Sequence, residues 1–182
     1  MRKDNSFENR LYESRIIPFY DGSSATEIIF RLLQYKADDP SQEIQLFISS
    51  CGGASHEMMG IYDTIKTMSN PITAVAFGAV SGYAALILAA CTKGRRFCLK
   101  NAEFSLSQPH GYFSAGANQQ TEVAIEAKKL LKEREDLEKA LAEETGRDIA
   151  LIHNDLEYDI DLTAEEAKQY GLIDEVLDGR DD

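Results

Sequence analysis

Cysteine is scarce in this chain, with three among 182 residues, at Cys51, Cys91 and Cys98. Their number is odd, their surroundings read as apolar, and no pair has the spacing of metal ligands. Reduced core thiols are therefore expected, and no metal site. Long hydrophobic runs are missing as well: none approaches the roughly 20 residues that span a bilayer. The first ten residues, MRKDNSFENR, lack the apolar segment of a signal peptide, which makes a cytoplasmic protein the expectation. Positive charge is in the minority, 19 Lys and Arg against 31 Asp and Glu, for a formal net charge of -12. Phosphates would be repelled, which argues against a general binder of nucleic acid or anionic membrane. The chain also has no exact internal repeat, no low-complexity segment and no two-residue hairpin signal.

What is present fits one soluble globular domain over 1–182, with 43% hydrophobic and 27% charged residues and enough chain for a real core. The stretch 72–94, ITAVAFGAVSGYAALILAACTKG, organises the rest. Residues 72–77 are apolar and β-branched, which predicts a buried strand; residues 83–90 are small, apolar and uncharged, which predicts a buried helix. Gly78 and Gly82 bracket the turn between them, where glycine permits a tight reversal. The start of such a helix presents free backbone N–H groups that favour negative charge, including a developing oxyanion. A hydrolase would place its nucleophile here.

The remaining chain alternates. Residues 1–10 (within an arm taken as 1–14) read as a mobile segment and 15–20 as a short strand. Ile28, Ile29, Leu32 and Leu33 recur at helical spacing and predict a helix over 25–35, followed by a loop over 36–42 and a strand over 43–49. Cys51-Gly52-Gly53 turns the chain into a helix over 54–68, striped by Met58, Ile61, Tyr62 and Ile65 and stopped at Ser69-Asn70-Pro71. Strands are predicted over 96–99 and 103–106 around a turn at Lys100-Asn101, then a glycine-containing loop over 109–118. Residues 121–144 form one long helix, with Val123, Ala127, Leu130, Leu137 and Leu141 expected buried on one face and Lys and Glu on the other. A short helix over 148–154 follows. Thr163 and Glu166 make a capping box for the last helix, Gly171 closes it, and 172–177 is a final strand. This alternation predicts an α/β protein with mostly parallel pairing.

Together these residues resemble the Clp protease proteolytic subunit family, ClpP, within the crotonase-like superfamily. The resemblance runs over about 6–176 and is carried by Gly52-Gly53 with Ile61-Tyr62-Asp63-Thr64, by Lys93-Gly94-Arg95-Arg96-Phe97-Cys98-Leu99, by Gln108-Pro109, and by 162–167 (LTAEEA) before Tyr170-Gly171-Leu172-Ile173-Asp174. It implies a repeated ββα superhelix with a protruding handle helix, here 119–146. Active members are ATP-dependent serine endopeptidases with a Ser-His-Asp triad and two main-chain oxyanion donors. They need no cofactor. The resemblance further implies heptameric rings stacked in pairs around a chamber, a polypeptide substrate, and an AAA+ unfoldase of the ClpX, ClpA or ClpC type.

The sequence departs from that pattern where it matters most. Counted back from Lys93-Gly94, the family's serine falls on Gly82; counted from Gln108-Pro109, its histidine falls on Ser107. Only the acid is kept, at Asp159, and Tyr158 stands where the family usually has arginine. The oxyanion positions fall on Gly53 and Tyr83, whose donors are main-chain. Gly82 has no hydroxyl, and Ser107 cannot take a proton near neutral pH. Ser81 is the alternative nucleophile, but a shift of one residue aims its side chain elsewhere. Of His56, His110 and His153, only His110 lies in a neighbourhood suited to a base, although an exposed loop imidazole is the commoner role. The arm reads as shorter than the family's axial loop, and the loop over 112–120 as longer.

The resemblance with these departures implies a catalytically degenerate, ClpR-like subunit. It would assemble or tune a homomeric or mixed particle, in the second case beside an active ClpP. The rival is an enzyme: a serine peptidase using Ser81, or a crotonase-like acyl-CoA enzyme using only the Gly53 and Tyr83 donors.

Overall fold

Helices and strands alternate along most of the chain, broken by two consecutive strands within 96–106 and two consecutive helices within 120–157, and the computed structural model describes residues 7–111 and 120–178. The elements are α1 (Phe7–Glu13), β1 (Ile16–Tyr20), α2 (Ala25–Asp38), β2 (Ile44–Ser50), α3 (Ser55–Thr67), β3 (Ile72–Ser81), α4 (Tyr83–Ala90), β4 (Arg96–Leu99), β5 (Glu103–Leu106), α5 (Gln120–Thr145), α6 (Ile149–Glu157), β6 (Ile160–Thr163), α7 (Ala164–Tyr170) and β7 (Glu175–Leu177). The α/β class and the preference for parallel pairing are as predicted. Strands β1-β2-β3-β4-β7 run in that order, all parallel, while β5 adds in parallel to the far end of β3 and β6 pairs antiparallel with β5.

Several sequence expectations need correction. The stretch read as an arm is helical from Phe7, and Arg15 ends it with a φ of 59°. Residues 1–6 lie outside the described residues, as do 112–119, which hold most of the loop read as lengthened. The second correction concerns β3, which does not end at Phe77 but runs to Ser81. Gly78 makes this possible. Its φ is +61°, and a Cβ there would stand 3.0 Å from Ser49 Oγ, so only glycine lets the strand bulge against β2. The register slips there, from Ile48 opposite Ala76 to Ser50 opposite Val80. Past the bulge β3 changes neighbour, pairing with β4 through Ala74–Ala76 and with β5 through Ala79–Ser81.

Helix α4 has the bounds read from sequence. All eight residues are buried, which is why it carries no charge and no polar face. Ser24 caps α2, Asp148 caps α6, and Thr163 with Glu166 forms the reciprocal capping box of α7. The apolar stripe of α5 is buried only toward its end. Leu137 and Leu141 pack in the core, Leu130 is half-buried, and Val123 and Ala127 are exposed. The first half of α5 projects from the body, with Ile125 and Leu131 also 63% and 61% exposed.

Candidate active-site cleft

Four chain ends converge on one edge of the sheet. Strands β2, β3 and β5 are parallel, so all three terminate on that side, and the antiparallel β6 begins there. Ligand sites in open α/β sheets lie outside the carboxyl ends of the strands for this reason. Here they enclose a cleft of about 710 Å³ walled by Cys51, Gly53, Gly82, Tyr83, Ser107 and, from α5, Glu133.

Gly82 sits between β3 and α4 with φ 52° and ψ -122°, a conformation open to glycine and strained for other residues, in a strand-to-helix turn of the kind that lifts a nucleophile above a sheet. Its N–H donates to the Ser105 carbonyl at 2.9 Å, one residue beyond the Ser81–Ser105 pair. A Cβ on Gly82 would meet nothing nearer than the Cys51 carbonyl at 3.9 Å, so the space for a side chain is open. Ser107 leaves the end of β5 one step past Leu106, which pairs with Ile160; Asp159 directly precedes Ile160. The three positions read as the triad are therefore gathered by two strand ladders. Asp159 has φ 48° and an exposed side chain, with no hydrogen bond or ion pair among the described residues. It is not among the residues that wall the cleft, nor is Ser81, which stays half-buried within β3.

The two positions read from the resemblance as oxyanion donors, Gly53 and Tyr83, lie in the loop before α3 and at the first residue of α4. Among the described residues neither the Gly53 nor the Tyr83 N–H donates a hydrogen bond, as expected for the first turn of a helix and its facing loop. Gly52 keeps this approach open. Its φ is +94°, and a Cβ there would lie 3.4 Å from the Tyr83 nitrogen. Asp21 pins the loop: its Oδ1 accepts from Ser50 Oγ at 2.9 Å and from the Cys51 N–H at 2.8 Å.

The family model for Clp protease matches residues 2–180. The chain belongs to the Clp protease family. It is also 40% identical over 175 residues to ATP-dependent Clp protease proteolytic subunit 1 of Bifidobacterium longum (strain NCC 2705), an alignment covering 94% of this chain and 74% of that protein. Proteolysis by a hydrolase family is thus the setting in which the Clp cleft of this chain has to be understood. No helix among the described residues is long and apolar enough to cross a membrane.

Sequence reasoning missed several groups of this Clp cleft. Cys51 is exposed and walls it, whereas Cys91 and Cys98 are buried as expected. His56 lines it alongside His110, so two histidines border the cleft. His153 is elsewhere, bonded through Nδ1 to Glu138 Oε1 at 2.9 Å. Ser55 donates to Glu133 Oε2 at 2.8 Å across the cleft wall. Tyr83 is buried, which raises its phenol pKa, and its hydroxyl reaches the Glu133 carbonyl at 3.4 Å.

Arg134 braces both chain ends of the site. Its Nη1 donates to Gln108 Oε1 at 3.2 Å and Glu157 Oε2 at 2.6 Å, and its Nε to the buried Glu138 at 2.7 Å. Gln108 adjoins Ser107, and Glu157 lies two residues before Asp159, so one guanidinium ties both turns to α5. No local sequence pattern announces such a contact.

Proposed function

We propose that this chain is a catalytically degenerate, ClpR-like subunit of an ATP-dependent Clp protease particle. Its single domain would supply ring and chamber wall rather than peptide cleavage. The observation that carries this reading is Gly82. It keeps the backbone of a nucleophile turn, with room for a side chain, and has no hydroxyl. Ser107 adds to it, since a hydroxyl in place of an imidazole leaves no base near neutral pH. On this reading Asp159 is a remnant of the triad, and Gly53 and Tyr83 keep a peptide-binding geometry without turnover. The partners are copies of this chain or an active ClpP in heptameric rings stacked in pairs, an AAA+ unfoldase of the ClpX, ClpA or ClpC type, and a polypeptide substrate. A cytoplasmic location accords with that role.

Purification of the particle from its native host, followed by mass analysis of the intact assembly, tests this. The expected result is a ring-shaped particle containing this chain beside an active, fluorophosphonate-reactive subunit. A particle made of this chain alone that hydrolyses peptides contradicts it.

A further inference from the structure

The α5 wall of the cleft carries a carboxylate, Glu133, that forms no ion pair among the described residues. Glu133 lines the cleft half-buried, and its only side-chain partner among the described residues is the neutral Ser55 hydroxyl at 2.8 Å. The neighbouring cations of α5 pair with other carboxylates: Lys129, which lines the same cleft, with Glu126 at 3.9 Å, Lys132 with Asp136 at 2.6 Å, and Arg134 with Glu138 and Glu157 at 2.7 and 2.6 Å. A carboxylate in such a position gains from a cation that arrives with a ligand.

Tyr83 relates this carboxylate to the backbone donors. Its N–H opens onto the cleft at the start of α4, and its buried side chain runs from there to Glu133, with the hydroxyl against the Glu133 carbonyl. The Glu133 main chain therefore lies about one tyrosine side chain away from the Tyr83 N–H, and its carboxylate reaches Ser55 from there. A peptide whose carbonyl sits on that N–H would direct its own side chain along Tyr83 toward a floor of Ser55 and Glu133. We infer that the cleft selects a peptide carrying a lysine-like cationic side chain at that place, with the ammonium on Glu133. This rests on the reading of the cleft as a peptide-binding site, and it names the class of peptide.

Fluorescence anisotropy of the full chain with labelled Ala-Ala-X-Ala-Ala amides, X being lysine, norleucine or glutamate, tests it. Norleucine matches the length of lysine without the charge. The lysine peptide is expected to bind about tenfold tighter than the norleucine peptide, the scale of one hydrogen bond to a charged group, and the glutamate peptide weakest. The lysine advantage is expected to shrink as salt rises and to vanish in Glu133→Gln. Equal or tighter binding of the norleucine peptide, or a lysine advantage that survives Glu133→Gln, overturns the inference while leaving peptide binding intact. Failure of all three peptides to bind overturns the peptide-binding reading and this inference with it.

Discussion

The N–H of Gly82 donates to the carbonyl of Ser105 at 2.9 Å, and this bond carries the β3–β5 ladder one residue past its last strand pair. Ser105 and Ser107 lie on the same face of an extended chain, two residues apart. The bond thus holds the turn at Gly82 in a fixed relation to the end of β5, from which Ser107 leaves. The bond is main-chain to main-chain, so this geometry depends on neither the Ser107 hydroxyl nor any side chain at position 82.

Thiol chemistry separates the cleft from the core. Burial pushes the Cys91 thiol up to about 12 and the Cys98 thiol up to about 11, while Cys51 is exposed. Iodoacetamide at pH 8 should therefore modify the folded chain once, at Cys51, as peptide mass mapping would show. Rapid modification of Cys91 or Cys98 without denaturant would mean that the core around α4 opens.

Acid should loosen the junction of β4 with the segment before β7. Arg96, 4% exposed, grips Asp174 through Nε at 2.9 Å and Nη2 at 2.6 Å. Burial alone would raise the Asp174 carboxyl, but the bonds from Arg96 and the Gly94 N–H outweigh it and hold the carboxyl below its usual value. A carboxylate with a depressed folded pKa stabilises fully above its unfolded value, near 4, and that contribution is lost as pH falls through the folded value. Asp174→Asn should therefore cost about 3 kcal/mol at neutral pH and flatten the acid limb of the stability curve, as urea unfolding at several pH values would measure. An unchanged acid limb would remove this pair from the account.

Much of this was legible from sequence, and the failures share a cause. The bounds of α4 and the Thr163 box were readable because composition and capping act within one or two turns. The continuation of β3 was not, because Gly78 reads as a turn residue until Ser49 is known to lie against it. The stripe of α5 follows helical periodicity throughout, but periodicity says which face is apolar and not whether this chain covers it. Glu133 and Ser55 are 78 residues apart, and Arg134 reaches Gln108 from 26 away. Contacts of that kind leave no trace in local pattern.

The exposed apolar residues of α5 predict assembly. With Val123, Ile125 and Leu131 between 42% and 63% exposed on a helix otherwise dense in charge, the chain should sediment as rings, alone or with an active ClpP. Leu131→Glu should shift stacked rings toward single ones. Raised salt should favour stacking by screening the acidic faces. Sedimentation as monomer under every condition, with or without an active ClpP, contradicts the assembly role.

Gly82→Ser alone should fold, since its Cβ clashes with nothing, but the positive φ should cost about 1–3 kcal/mol. Thermal or urea unfolding reads this directly. Loss of folding would show that the turn tolerates no side chain and would count against its descent from a nucleophile position.

Fluorophosphonate labelling tests the central claim most directly. On the proposed reading, with Gly82 at the nucleophile position and Ser107 at the base position, the chain as it stands should take no label and cleave no fluorogenic peptide. Gly82→Ser combined with Ser107→His should take label at position 82 and show weak peptidase activity, greater in mixed particles, while each change alone does almost nothing. Label on the unmodified chain, at Ser81 or any other serine, contradicts the account, as does a folded, ring-forming double variant that stays unlabelled.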